Sequence, residues 1–278
     1  MSKTAKDENF PVGRLVNLKL RPVVQAYYAA ARKADDIADA FDISGTQKLQ
    51  LLNEEEKNFF AANDTVAGNL GRIFVSENLD SHLYTDLLEA FRRDARNTPI
   101  EIWEQLLDYC KYSAAPVGRF MLAIHDESVA TYLPAETLCA VLQITNHLQD
   151  MKVDACNLRR CYLPTQMMNK YGVEFTDICL TKGTPALQAL IKDITTRLKA
   201  MLKDAKILFS LVRSRRLKAE LGVIFSLTNS MLKKIEKGDV IALRPRLNLL
   251  DWQKAFLAGI GRGLFTRMKL CKSDNKIK

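Results

Sequence analysis

Asp35-Asp36-Ile37-Ala38-Asp39 and Asp150-Met151-Lys152-Val153-Asp154 decide how this chain is read. In each string two carboxylates stand four residues apart, so on a helix they leave one face about 6 Å apart along the axis. The sequence places no cation between them on that face, and each pair repels itself until a cation arrives. The two strings lie 115 residues apart. Facing each other across a helical bundle, they would form a cage for hard divalent ions, Mg²⁺ above all, holding an anionic phosphate ligand.

Around the first string, Arg32, Asp35, Asp36 and Asp39 fall at offsets 0, 3, 4 and 7, near one helical stripe. An arginine one turn ahead of the acids suits a phosphate, while the carboxylates suit bridging metals. A solvated acidic face with an intrahelical Arg–Asp pair has the same pattern. Tyr27, Tyr28, Ala29, Ala30, Ala31, Ile37 and Ala38 leave little of the helix facing solvent. That density predicts a buried helix, in which unpaired carboxylates are costly.

Around the second string, Gln143, Asn146, Asp150 and Asp154 fall at offsets 0, 3, 7 and 11. They form a polar stripe about 16 Å long on a helix made apolar by Ala140, Leu142, Ile144 and Leu148. Such a stripe faces a cavity or polar partners. Asp150 and Asp154 are candidate ligands, and Gln143 and Asn146 would align water or complete a metal shell. His147, beside the stripe, reads as structural. Arg160 and Tyr162 follow; they suit the outer oxygens of a diphosphate, and two arginines suit a helix end equally well.

Between the strings lies Tyr109-Cys110-Lys111-Tyr112-Ser113-Ala114-Ala115-Pro116-Val117-Gly118-Arg119. Pro116 has no N–H to donate, which predicts a kink that frees the carbonyl of Tyr112. Tyr109 and a freed carbonyl beside an apolar tunnel would suit a carbocation. A kink that only shapes helix packing is the plainer alternative.

Hydrophobic residues make up 47% of the 278, Gly and Pro number only 12 and 8, and strand alternation is absent. That balance predicts an all-α, single-domain chain over residues 1–278, with about nine helices. They are expected at roughly 22–41, 45–62, 65–77, 80–96, 99–125, 134–155, 184–212, 215–237 and 249–269. The formal charge is +9, with the excess late, in Arg213–Lys218 and beyond residue 260, ending in a basic tail at 269–278. With no aromatic-interleaved basic repeat and no zinc spacing, no nucleic acid is expected; a phosphate ligand or an anionic membrane surface is. The six cysteines show no CxxC spacing and read as isolated thiols in a reducing compartment. A polar start and the lack of any apolar run near the roughly 20 residues of a membrane span predict a cytoplasmic protein, at most peripheral at the inner face of the cell membrane.

Four stretches carry a resemblance: ARKADDIAD (31–39), YCKYSAAPVGR (109–119), LQITNHLQDMKVD (142–154) and RCYLP (160–164). In combination and order they resemble the squalene/phytoene synthase family of head-to-head prenyl-coupling enzymes, strongly from about Asn9 to Pro164 and more loosely beyond. Glu8-Asn9-Phe10-Pro11-Val12, Ser113-Ala114-Ala115-Pro116, Asn146-His147-Leu148-Gln149-Asp150 and Arg244-Pro245-Arg246-Leu247 look like the hydroxysqualene-forming branch of bacterial hopanoid biosynthesis.

The resemblance implies an isoprenoid-synthase-like helical bundle around a central tunnel, with the acidic helices on opposite walls. It implies presqualene diphosphate as substrate, bound through several Mg²⁺ ions on Asp35, Asp36, Asp39, Asn146, Asp150 and Asp154. Arg32, Gln143, Asn146, Arg160 and Tyr162 would meet the diphosphate, and Tyr109 would stand near the reacting carbons. Ionisation, rearrangement and capture by water would give hydroxysqualene. The chain has no glycine-rich dinucleotide fingerprint, so no NADPH is expected, and other enzymes of the squalene route are expected neighbours. Gln149 is neutral where other branches more often carry an arginine, and two departures from the family pattern bear on the site: Lys152 between the second pair of acids, and Cys156-Asn157 in the loop after them. Two alternatives remain open: a presqualene diphosphate, squalene or phytoene synthase coupling two prenyl diphosphates through the same aspartates, and a catalytically silent assembly protein at a membrane.

Overall fold

The computed structural model describes residues 18–265. Expectations placed on Glu8–Val12 and on the basic tail at 269–278 therefore lie outside the described residues. Among those described there is no strand, and the all-α expectation holds.

Thirteen α-helices are defined among the described residues, from α1 (Arg21–Asp39), α2 (Gly45–Ala61), α3 (Val66–Ser76) and α4 (His82–Arg96) at the start. The middle of the chain holds α5 (Trp103–Ser113), α6 (Ala115–Ala123), α7 (Tyr132–Val153), α8 (Thr165–Tyr171) and α9 (Phe175–Ile178). The rest holds α10 (Pro185–Asp204), α11 (Leu208–Leu211), α12 (Arg215–Lys237) and α13 (Leu249–Phe265).

Local chemistry sets the starts. Ser44 and Gln47 exchange hydrogen bonds in a capping box before α2, and the side chains of Thr65, Thr184 and Ser214 cap α3, α10 and α12. The expected helix 99–125 is two helices. Ser113 ends α5, Ala114 leaves the helical region (φ −133°), and Pro116 stands in the first turn of α6. Proline thus begins a new helix, where its missing N–H costs nothing, instead of kinking a continuous one.

Packing forms two main apolar clusters. One gathers α1 to α4 with α6, around Tyr27, Leu52, Phe59, Leu70, Tyr84 and Phe120. The Tyr27 and Phe120 rings stack at 3.9 Å, and the Tyr27 hydroxyl donates to the Leu83 carbonyl at 2.6 Å. The larger cluster gathers α5 and α7 with the later helices, around Leu106, Ile144, Leu148, Leu190, Ile194 and Met231. Each such fully buried side chain contributes roughly 1.5–3 kcal/mol.

The expected all-round burial of α1 is corrected here. Only the stripe Val23, Tyr27, Ala30, Ala34 and Ala38 is buried, whereas Gln25, Ala29, Lys33 and Asp36 are exposed. Alanines gave the sequence its apolar look, yet half a helix packed on one side of a cluster leaves the other half in water.

Candidate active site

The site lies where α1, from the first cluster, meets the segment that follows α7, from the second. Asp35 and Asp39 are half-buried and Asp36 is exposed. The structure gives these acids two cations, the Arg32 read on the same stripe and one from a distant segment. Arg32 donates from Nη1 to Asp35 at 3.0 Å and from Nη2 to Asp36 at 2.7 Å. Arg160 donates from Nη1 to Asp39 at 2.6 Å and from Nη2 to the Ala38 carbonyl at 2.7 Å. Arg160 is buried, and its charge sits against the carbonyl end of α1, where the helix dipole favours a cation.

On α7 the expected stripe is a stripe. Gln143, Asn146, Asp150 and Asp154 are all half-buried, while Val141, Ile144, Thr145, Leu148 and Met151 around them are buried. Asp150 accepts from Arg244 Nε at 2.5 Å. Asp154 does not continue the α-helix: it opens a π-helical turn, Asp154–Leu158, closed by Arg159 in the left-handed region (φ 52°). The Arg160 amide donates back to the Asp154 carbonyl at 3.1 Å. Wide turns of this kind recur at functional positions, and this one turns the chain from the α7 acids to the α1 acids.

Tyr109 and Tyr162 converge on a residue that the sequence reading missed. Tyr109 donates to Asp94 Oδ2 at 2.9 Å and Tyr162 to Asp94 Oδ1 at 3.0 Å. Burial pushes the Asp94 carboxyl up to about 6, against the lowering pull of Arg160 and the two hydroxyls. Burial likewise holds both tyrosines well above their ordinary range, so they remain donors. The His147 ring stacks on Tyr162 at 3.7 Å, which fits its structural reading. Asp94 was hidden in the charged run Arg92-Arg93-Asp94-Ala95-Arg96. Its signal was register: Leu83, Leu87 and Ala90 are the buried stripe of α4, and Asp94 is the next position along it.

Gln149 and the two departures also find their places. Gln149 is buried and donates to the Pro245 carbonyl at 2.6 Å, and Lys152 donates to the Ile241 carbonyl at 3.2 Å. With Asp150–Arg244, they fasten the loop before α13 onto α7. Cys156 corrects the isolated-thiol expectation: it is exposed, and its sulfur lies 2.7 Å from that of exposed Cys179.

Whether these residues suit a divalent cation is a matter of donor chemistry. Every candidate donor is a hard oxygen, as Mg²⁺ requires. Among the described residues no three His, Cys, Asp or Glu side chains gather into a ready cage. The cage expected from the sequence is thus not preformed among the described residues; Mg²⁺ is commonly held by one or two carboxylates, with water and substrate phosphate filling the remaining positions. Arg32 Nε is buried and makes no hydrogen bond among the described residues, which leaves donor capacity beside Asp35 and Asp36.

With the geometry in place, comparison with known proteins gives the class. The squalene/phytoene synthase profile matches residues 3–253, and the chain belongs to that family. Two proteins named hydroxysqualene synthase are among its relatives. That of Rhodopseudomonas palustris is 35% identical over 253 residues, covering 90% of this chain and 87% of that protein. That of Zymomonas mobilis is 34% identical over 266 residues, covering 94% and 90%. A solved squalene synthase from Alicyclobacillus acidocaldarius is 31% identical, with a TM-score of 0.71 over 80% of this chain and 85% of its own. A dehydrosqualene synthase structure, 20% identical with a TM-score of 0.75, shares the fold.

Proposed function

We propose that this protein is a hydroxysqualene-forming enzyme: it ionises presqualene diphosphate, rearranges the cation and releases the alcohol after capture by water. The observation that carries this reading is 35% identity to a hydroxysqualene synthase over 90% of the chain, with the acids of both strings present. Residues 1–278 act as one domain around an apolar tunnel.

Asp35, Asp36 and Asp39 on one edge, and Asn146, Asp150 and Asp154 on the other, would hold Mg²⁺. Bound there, Mg²⁺ would neutralise the diphosphate and make it a better leaving group. Arg32 and Arg160 exchange part of their contact with carboxylates for contact with phosphate, and Gln143 orients the headgroup. The hydroxyls of Tyr109 and Tyr162, fixed by Asp94, present dipoles beside the cation without ionising. The hydrocarbon of the substrate brings the enzyme to an anionic membrane surface, among other enzymes of the squalene route.

The test is product analysis of the purified protein with Mg²⁺ and without NADPH. An alcohol formed from presqualene diphosphate, and abolished by EDTA, is the expected result. Turnover of farnesyl diphosphate to presqualene diphosphate would instead assign the coupling step. Folded protein that turns over neither would return the reading to a silent assembly protein.

A further inference from the structure

Helix α13 is built inside out. Its protein side is made of small residues: Ala255 and Gly259 are buried against α12, and Gly263 follows one turn on. A Cβ at Gly259 would lie 2.8 Å from the Ala219 carbonyl oxygen and 2.7 Å from a Val223 methyl. On the facing helix, a Cβ at Gly222 would lie 2.9 Å from the Gly259 Cα. The two backbones therefore touch, and neither glycine tolerates a side chain.

The bulk points the other way. Leu249, Leu250, Phe256, Leu257 and Ile260 are between 46% and 74% exposed, and Leu243 on the preceding loop is 78% exposed. At 100° per residue, those five span a continuous arc of about 120° on the side away from α12. An ordinary surface helix buries such residues and exposes its polar ones.

Charge identifies what covers this face. The acid of α13, Asp251, is turned to Lys234 at 3.1 Å and to the Asn248 amide at 2.9 Å. Exposed Lys254 borders the arc on α13, and exposed Arg246 stands on the loop just before the helix. The sequence after residue 265 adds Arg267, Lys269, Lys272, Lys276 and Lys278 against the acid Asp274. Large apolar side chains rimmed by basic ones suit an anionic bilayer, whose headgroups attract the cations while its acyl boundary takes up the leucines. None of the helices among the described residues is long and apolar enough to cross a membrane, so α13 would lie in the interface.

We infer that α13 is the membrane-docking surface of this protein, with Leu249, Leu250, Phe256, Leu257 and Ile260 inserted into an anionic lipid surface. This deepens the membrane association included in the proposed function by assigning it to a helix face. Its far side reaches toward the site: Trp252 and Leu247 pack with Leu142 of α7, next to Gln143.

The test is co-sedimentation of the full chain with vesicles of phosphatidylcholine alone or mixed with phosphatidylglycerol. It needs no turnover, so its result stands apart from that of the activity assay. Wild type is expected to bind the anionic vesicles at least tenfold more tightly. The double variant Leu257→Glu/Ile260→Glu is expected to lose at least tenfold in that binding, with an unchanged melting temperature because both positions are exposed. A chain ending at 265 is expected to bind more weakly at low salt and still to depend on Leu257 and Ile260. The inference is overturned if the double variant binds as wild type does, or if wild type does not bind. It is equally overturned if sedimentation velocity shows a concentration-dependent dimer that the double variant abolishes, since a second copy would then own the face. Vesicle binding that appears only after residues 1–17 are removed would assign the face to that segment instead, and would also overturn it.

Discussion

The two acidic edges carry similar side chains and are held in opposite ways. On α1, Arg32 neutralises Asp35 and Asp36 from within the same helix, and Arg160 reaches Asp39 from a buried position 121 residues on. On α7, Asp150 is held by a half-exposed arginine from the loop before α13, and Asp154 stands at the start of a π turn. One edge is a rigid helix end pinned by a buried cation; the other is a helix whose last turn has been widened and whose counter-ion rides on a loop. The difference points to α7 as the edge that adjusts when ligand arrives.

The largest expected effect tests whether the edges are equal in chemistry and unequal in stability. Asp39→Asn and Asp150→Asn should each lower turnover of presqualene diphosphate by roughly 10²–10³-fold, the scale of losing one electrostatic contact to a departing charge. Their unfolding should differ. Asp39→Asn leaves the Arg160 side chain, 8% exposed, without its carboxylate, at about 2–3 kcal/mol. Asp150→Asn releases Arg244, 34% exposed, to water at a cost under ~1 kcal/mol. Equal denaturation midpoints for the two variants would break the comparison.

Next in size is a pH effect confined to the α1 side. Asp94 anchors Tyr162, two residues past Arg160, and its carboxyl is raised from 3.8 to about 6, chiefly by burial. The folded chain therefore binds that proton more tightly than the unfolded one. The contribution is fully present below about pH 4 and is lost as pH rises through about 6, on the order of 3 kcal/mol. Asp94→Asn should flatten that slope in urea midpoints taken between pH 4 and 7. The loop anchor on α7 is the neutral Gln149, so Gln149→Ala should leave the slope intact.

Gln149→Ala has an effect of its own. The buried amide donates to the Pro245 carbonyl, one residue from Arg244. Its loss should cost about 1–2 kcal/mol, and amide hydrogen exchange should accelerate in the loop before α13 while α1 stays protected. Faster exchange at both edges would mean that they move as one body.

How much of this was legible follows the same division. The first four helices, the acidic stripes and the Arg32–Asp35–Asp36 triplet were readable, because local spacing fixes which side chains share a helix face. Arg160–Asp39, Arg244–Asp150 and Gln149–Pro245 were not, because each joins residues about 90 or more positions apart in sequence through packing that no spacing rule encodes. Gln149 is the clearest case. On sequence it is a lost positive charge beside the acids; in the fold it faces the loop, and its neutrality suits a buried position. The π turn escaped for a related reason: Asp150 to Asp154 fits an α-helix, and only the closure by Arg159 shows that the helix has ended.

The smallest expected effect concerns Arg32, and its smallness is the point. Its pairs with Asp35 and Asp36 are i,i+3 and i,i+4 contacts with partners 36% and 47% exposed. Such pairs contribute a few tenths of a kcal/mol each, so Arg32→Gln should change stability by less than about 0.5 kcal/mol. A guanidinium so weakly committed can leave its carboxylates for a phosphate at little cost, whereas Arg160, tied to Asp39 and to the end of α1, gives up part of its contact only at a higher one. Arg32→Gln should therefore raise KM for the diphosphate substrate about tenfold, the scale of one lost charge-assisted contact of about 1.4 kcal/mol. A destabilisation above about 1 kcal/mol with KM unchanged would make Arg32 a structural residue. The α1 edge would then be closed by its own arginine, and the α7 edge alone would receive the ligand.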